Sequence, residues 1–432
     1  MTTTTALGTT PESFTWVGGI ENTFIPQERP GLRALEEFEL TQHYQQWRDD
    51  LRRAASLGIT MLRWGAPWYR IEPEPGVFDW SWTDEVLPFM VNELGIQPIV
   101  DLMHYGTPLW LEASFADPAY SGLVARYERA FAERYRGLVR YYTPLNEPTV
   151  NAEFCGRRGE WPPYLSDEPG YVAVLLQLAR GIQNSVRAIR EADPDAVFVA
   201  VEAMRWCRAT SEAAIPAAVQ HDHADFLAWD LYSGRVDAAH PLHSYLIANG
   251  ASGSELEQLR ERAVRHDFYG VNFYPWSACE LQEGADGAIW SLPVPRDGRL
   301  LADVLRRCHA HTGLPLLVTE TSAREDVAGR AAWMDETLEG VRAARAGGVP
   351  VVGYTWFPLI TMIDWEYRKS QLPVERFLLH LGLWDSAFDA KGVLVRHETP
   401  LVTKYRACVA GALETVGALV EPALSPTREP EL

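Results

Sequence analysis

The chain has 432 residues, is 47% hydrophobic, and carries a net charge of −19 with a pI near 5.1. That charge argues against a nucleic-acid partner and against an anionic membrane surface. The five cysteines (Cys155, Cys207, Cys279, Cys308, Cys408) are scattered, odd in number and free of C-x-x-C pairs, which argues against a disulfide framework and a zinc knuckle.

The opening MTTTTALGTTPES has no basic stretch and no apolar run, so no secretory signal is read there. Residues 1–12 are expected to be frayed, as is the tail 421–432. No stretch reaches the roughly 18 apolar residues of a spanning helix, so no membrane partner is expected and a reducing, cytoplasmic compartment is the default. Between the termini no linker interrupts the chain, and residues 13–420 read as one domain, a length that a single α/β barrel can reach.

Within it, short apolar runs alternate with amphipathic helices. The first run is 14–18. A helical stripe of Trp47, Leu51, Ala54 and Ala55 follows and stops at Gly58. The run 60–64 comes next, then a second stripe, Val86, Phe89, Met90 and Leu94, that stops at Gly95. Glycine closes helices because it takes the left-handed conformation at low cost. Further runs are 97–102, 139–143, 197–201, 268–273, 315–319 and 351–356, with a long helical segment at 171–190. Eight continuously apolar strands with helices between them predict an α/β fold, a single (β/α)8 barrel of parallel strands buried on both faces. The longest stretches without a core strand, 207–266 and 275–313, follow strand ends, where active-site loops of such barrels grow.

Catalytic groups of such barrels sit at the C-terminal strand ends. Reading those ends in turn gives Arg63 and Trp64, His104 and Tyr105, Asn146 and Glu147, Glu202, Asn272 and Tyr274, Glu320, and Trp356 with Asp364, Trp365 and Glu366 beyond it. The stretch VRYYTPLNEP places Glu147 in a turn just past a short strand. Glu147 on the fourth strand and Glu320 on the seventh would face each other across the mouth. Two such carboxyls suit glycosidic chemistry: one protonates the leaving oxygen, and the other attacks or stabilises the anomeric carbon. The 16 tryptophans offer faces for sugar rings. Each group alone has a plainer explanation. A glutamate after a strand is usually a cap or a surface residue, an arginine can be a core-edge ion pair, and Trp64, Trp356 and Trp365 can be core. The weight comes from their occurring together.

These residues resemble glycoside hydrolase family 1, which includes the β-glucosidases. TPLNEP at 143–148 is similar to the family's TxNEP acid/base motif, and VTET at 318–321 to its TENG nucleophile motif. GVNFYPW at 270–276 is similar to GxNYY, and MHYGTPLWL at 103–111 to HWDxPxxL. LRWGAPWYRIEPEPG at 62–76 resembles RxSxxWxRIxPxG, and GYTWFPLITMIDWEY at 353–367 resembles GYxxWSxxDNxEW. The resemblance runs over about residues 14 to 410. It implies a retaining β-glycosidase that needs no cofactor and no metal and acts on a small-molecule glycoside; the sequence leaves the oligomeric state open. Glu147 would be the general acid and then the base, and Glu320 the nucleophile, with carboxyls about 5–5.5 Å apart. Arg63 and Tyr274 would keep Glu320 ionised, and Glu147 beside it would hold the proton. Asn146 and His104 would hold hydroxyls, Asn272 would stand nearby, and Trp356 would form the sugar floor.

The chain also departs from the family pattern. TENG reads TETS. Either Asp364–Trp365 or Glu366–Tyr367 takes the place of the family's Glu-Trp pair. GGIENTFIPQ stands where the family has AxxYQxEG, so that Glu21 or Asn22 takes the glutamine's role. These departures point to an unusual sugar, for instance a deoxy or otherwise modified one. Three rivals share the evidence. A metal-dependent hydrolase would use the HxH pair His221 and His223 with His240 and His243. A non-catalytic sugar-binding barrel would keep the pocket without the chemistry. A transglycosylase would hand the sugar to an alcohol on the same site.

Overall fold

The computed structural model describes Leu7, Gly8, residues 13–411 and Leu413. Eight parallel strands close a ring in chain order: β1 Thr15–Gly19, β2 Met61–Gly65, β3 Gln97–Asp101, β4 Tyr141–Thr143, β5 Val197–Ala203, β6 Phe268–Asn272, β7 Leu316–Glu320 and β8 Val351–Trp356. The predicted (β/α)8 barrel is therefore present, and each predicted run holds one strand. β4 starts later than its run because the amides of Leu138 and Val139 still bond to Tyr135 O, which closes the turn ahead of the strand.

The apolar stripes do what their spacing implies. Trp47, Leu51 and Ala54 are the buried face of helix His43–Ser56. The second stripe spans helix Thr83–Pro88 and a wider π turn, Phe89–Glu93. Helix Glu168–Ala192 covers the third predicted segment and packs along helix Tyr120–Arg134. The long stretches after β5 and β6 are more ordered than the word loop implies. Trp206–Ala209, Ala278–Glu283 and Ile289–Pro293 form a three-stranded sheet, and helix Leu227–Tyr232 is wholly buried.

The inside of the barrel is divided by depth. A lower layer of Val17, Met61, Ile99, Tyr141, Val199, Phe268, Leu317 and Val352 is apolar, and Leu7 packs onto it. The Leu7 amide donates to Tyr141 Oη at 2.9 Å. So one residue of the segment read as frayed is held against the barrel interior. The rest of that segment, 1–6 and 9–12, lies outside the described residues, as does the tail 421–432. Among the described residues no helix is long and apolar enough to cross a membrane.

β8 carries an irregularity that matters later. Leu316 pairs with Val351, but Leu317 pairs with Gly353, so Val352 is a bulge. A bulge adds one residue and exchanges the faces of all that follow. Tyr354 then points outward, bonding Thr337 on the helix Val327–Ala346, and Trp356 shares that outward face.

Glu128 is wholly buried between helices Tyr120–Arg134 and Glu168–Ala192, and among the described residues only the Ser185 hydroxyl is near its oxygens, short of full hydrogen-bond geometry. Burial pushes its pKa well above the carboxylate range, with Ser185 offsetting only part. A carboxyl whose folded pKa is raised leaves stability intact below the unfolded value and erodes it as pH climbs towards the folded one. Glu128→Gln is therefore expected to leave unfolding unchanged near pH 4 and to stabilise by about 1–3 kcal/mol at pH 8, as read from denaturant melts at the two pH values.

Candidate active site

Above the apolar layer the barrel interior turns polar. Arg63, on β2, is wholly buried. Its Nη1 donates to Glu320 Oε1 at 2.7 Å and to Thr319 O at 3.1 Å. Its Nη2 donates to both oxygens of Asp101, at 2.9 and 2.8 Å, and to Asn146 Oδ1 at 3.0 Å. One guanidinium thus ties β2, β3, β7 and the turn after β4, the planar fork that arginine provides and lysine does not.

Glu320 is the last residue of β7 and is 5% exposed. Its second oxygen, Oε2, accepts from Tyr274 Oη at 2.7 Å. Both partners named from the sequence are therefore in contact with it. Burial nonetheless prevails: it pushes the carboxyl up to about 7, Arg63 pulls against it, and the facing Glu147 adds to the rise.

Glu147 sits where β4 gives way to helix Pro148–Ala152, with Pro148 at the first helical position. Its φ is 44°, in the left-handed region, a conformation that surrounding contacts must hold in place for a residue with a Cβ. They do so through backbone bonds, Glu147 N to Val201 O at 3.1 Å and Asn146 N to Met103 O at 3.0 Å. The side chain is held on both oxygens. Asn272 Nδ2 donates to Oε1 at 2.7 Å, and Tyr105 Oη donates to Oε2. Asn146 Nδ2 reaches His104 Nε2 at 3.1 Å and Tyr105 Oη at 2.9 Å.

Glu21 and Asn22 follow β1 and are both buried. Glu21 accepts from Thr23 N and Oγ1 at 3.0 and 2.6 Å, and its charge acts on His104, Tyr105 and Glu320. Asn22 lies over Gly65, where an added Cβ would strike its amide, and neither of its amide atoms has a partner among the described residues. Trp365 packs at 5.9 Å from Tyr105 and 5.2 Å from Trp161, with Phe154 completing the aromatic wall. Its indole N–H is buried and has no partner among the described residues.

Three predicted residues are not brought to this cluster. Trp356 points outward after the bulge, and its indole donates to Leu381 O at 3.0 Å. The ring that faces the interior is Phe357, one residue on, with the Arg63 guanidinium 5.2 Å from its centroid and its edge in the space a Cβ on Gly19 would take. Glu366 is exposed and pairs with Lys369 at 2.7 Å. Asp364 stands nearer, but its carboxylate is occupied, accepting from Glu366 N at 3.0 Å and pairing with Arg324 at 3.1 Å. Sequence reasoning left out several residues of the cluster. Asp101 and Glu37 were passed over, and Tyr105 was seen only as a strand-end residue. Glu37 is wholly buried and accepts from Ile363 N at 3.0 Å, bracing the loop ahead of Asp364. An acid at the end of a barrel strand was the available signal for Asp101; Glu37 offered none. His221 and His223 lie on helix Ile215–Asp225, while Asp230 takes His240 and His311. Among the described residues, no group of three or more His, Cys, Asp or Glu is arranged to hold a metal ion.

A (β/α)8 barrel with two buried carboxyls in its polar mouth, walled by aromatic rings and amides, defines a sugar-processing enzyme of the glycoside hydrolase class. The family model for glycosyl hydrolase family 1 matches residues 36–275, and the chain belongs to that family. Among its relatives, thermostable beta-glucosidase B of Thermobispora bispora is 26% identical over 362 residues, 75% of this chain and 74% of the relative. Beta-glucosidase 47 of Arabidopsis thaliana is 22% identical over 371 residues, 75% and 69% of the two chains. The beta-glucosidase from Thermotoga maritima in complex with azafagomine superposes with a TM-score of 0.80 at 18% identity, covering 93% of this chain and 98% of that one.

Arg63 separates the charges of Asp101 and Glu320 in a site where all three side chains are buried. Arg63→Met leaves both acids without their cation and is expected to lower stability by about 3–5 kcal/mol in denaturant unfolding. Adding Asp101→Asn recovers part of that loss. A single-mutant cost no larger than that of a surface change would show that the acids do not depend on Arg63.

Proposed function

We propose that the chain is a retaining β-glycosidase that hydrolyses a terminal β-linked sugar from a small glycoside by double displacement. The observation that carries the reading is the double grip on Glu320. A cation on one oxygen and a phenol on the other favour the anionic form that a nucleophile needs. Glu147, held by Asn272 and Tyr105, is the general acid in the first step and the base that activates water in the second. Glu320 attacks the anomeric carbon as Glu147 gives its proton to the leaving oxygen. Water, deprotonated by Glu147, then opens the glycosyl-enzyme with retention. Asn146 and His104 hold the hydroxyls nearest the reacting carbon, and Phe357 offers the ring on which the sugar rests.

The far side of the sugar is held differently. Asp364 is engaged by Arg324 and Glu366 is out in solvent, so the outer hydroxyls fall to Glu21, Asn22 and the Trp365 indole. The unpaired amide of Asn22 and N–H of Trp365 are buried polar groups that a sugar hydroxyl would satisfy. The changed grip, with Asp364 engaged by Arg324 and Glu366 by Lys369, supports a sugar modified at its outer positions over plain glucose. The five free cysteines suit a reducing compartment.

Glu147→Gln is expected to cut kcat/KM by about 10²–10⁴ on poor leaving groups and much less on activated aryl glycosides. An equal loss on both would remove Glu147 from the acid role. Glu320→Gly should abolish hydrolysis, with azide restoring turnover to a product of inverted configuration. The acidic limb of kcat/KM lies near pH 7, activity rising as Glu320 loses its proton. Both Phe357→Ala and Trp356→Ala are expected to cost stability, being buried, but Phe357→Ala raises KM whereas Trp356→Ala leaves KM preserved. The converse pattern would return Trp356 to the sugar floor.

A further inference from the structure

The directions of the hydrogen bonds around Glu147 are set from a distance. Arg63 can only donate, so its bond at 3.0 Å fixes Oδ1 of Asn146 as the acceptor. The two hydrogens of Asn146 Nδ2 then face His104 Nε2 and Tyr105 Oη. Tyr105 accepts there, and its own hydrogen is left for Glu147 Oε2. The other oxygen is differently placed. Asn272 Nδ2, oriented by Thr319 Oγ1 donating to Asn272 Oδ1 at 2.6 Å, reaches Glu147 Oε1 at 2.7 Å. That amide has a second acceptor within reach, Asn146 Oδ1 at 3.5 Å, so it can release Oε1 without being stranded. Tyr105 has no such alternative.

We propose that Tyr105 is a positioning residue for the acid/base carboxyl: it locks Glu147 Oε2 as a hydrogen-bond acceptor, so that Oε1 is the oxygen that trades its proton with the glycosidic oxygen and with water. The inference rests on the reading of Glu147 given above. The family motif matched by MHYGTPLWL has Trp where Tyr105 stands, so the phenol is a feature of this chain. Its ring is held against Trp161 at 5.1 Å and His104 at 4.6 Å. Glu320 on β7, Glu202 on β5 and Tyr274 beyond β6 also feel the charge of Glu147. Among the described residues none of these three donates a hydrogen bond to Oε2, whereas Tyr105 does and is tied to Arg63 through Asn146.

The test is Tyr105→Phe, which keeps the ring and removes the hydroxyl. A donor to the ionised carboxylate favours that form. Its loss should move the alkaline limb of kcat/KM up by about half a unit to one unit. Turnover of a poor-leaving-group aryl glycoside should fall about tenfold, with activated substrates and the acidic limb little changed. Tyr105→Trp, which returns a ring N–H donor, should move the limb part of the way back. An alkaline limb that stays in place or moves to lower pH in Tyr105→Phe overturns the proposal. Glu147→Gln, measured alongside, separates the two readings. If it spares poor leaving groups, the acid assignment and this inference fall together. If it behaves as an acid variant while Tyr105→Phe leaves the limb unmoved, only this inference falls.

Discussion

Arg63 is the charge on which the mouth of the barrel depends. An acid buried away from water stays ionised only if its charge is matched and its lone pairs are used. Arg63 matches Asp101 and Glu320 together and spends its remaining reach on Asn146 and a backbone carbonyl. The strands that close the ring are thereby tied to the groups that do the chemistry. Misplacing any of β2, β3 or β7 would break a bond to the guanidinium, so the geometry of the site is inherited from closure of the sheet.

The same cation has effects beyond its own contacts. Through Asn146 it sets the orientation of an amide, and through that amide the hydrogen of Tyr105. On its other side it draws against the burial of Glu320 without cancelling it. The two carboxyls are therefore told apart by their partners more than by their exposure: a cation and a phenol on one, an amide and a phenol on the other.

Much of this was legible in the chain. Strands buried on both faces leave unbroken apolar runs, and all eight could be read. The polar residues at their ends could be gathered because a barrel brings strand ends to one place. What escaped was whatever depended on register. Trp356 was expected at the sugar because the resemblance of GYTWFPLITMIDWEY to the family's GYxxWSxxDNxEW stretch implied it. The extra residue at Val352 reversed the faces, and Phe357 took the inward place. A bulge has no side-chain signature in a run such as VVGYTW. Glu37 could not be read either, since its partner, the Ile363 amide, lies 326 positions away. For Asp364 and Glu366 the spacing alone left two alignments. Ion pairs with Arg324 and Lys369, made by side chains, decide where each carboxylate sits.

The meeting of Asn22 and Gly65 bears on how such a pocket can change over generations. The amide rests where any side chain at 65 would collide with it. A larger residue at 65 is harmful while Asn22 is present, and a smaller residue at 22 gains nothing while the strand end stays bare. Each position sets the value of a substitution at the other. Drift at this edge of the pocket is therefore expected to be slow and to come in paired steps, with lineages diverging in the sugars they accept while the acid and the nucleophile stay as they are.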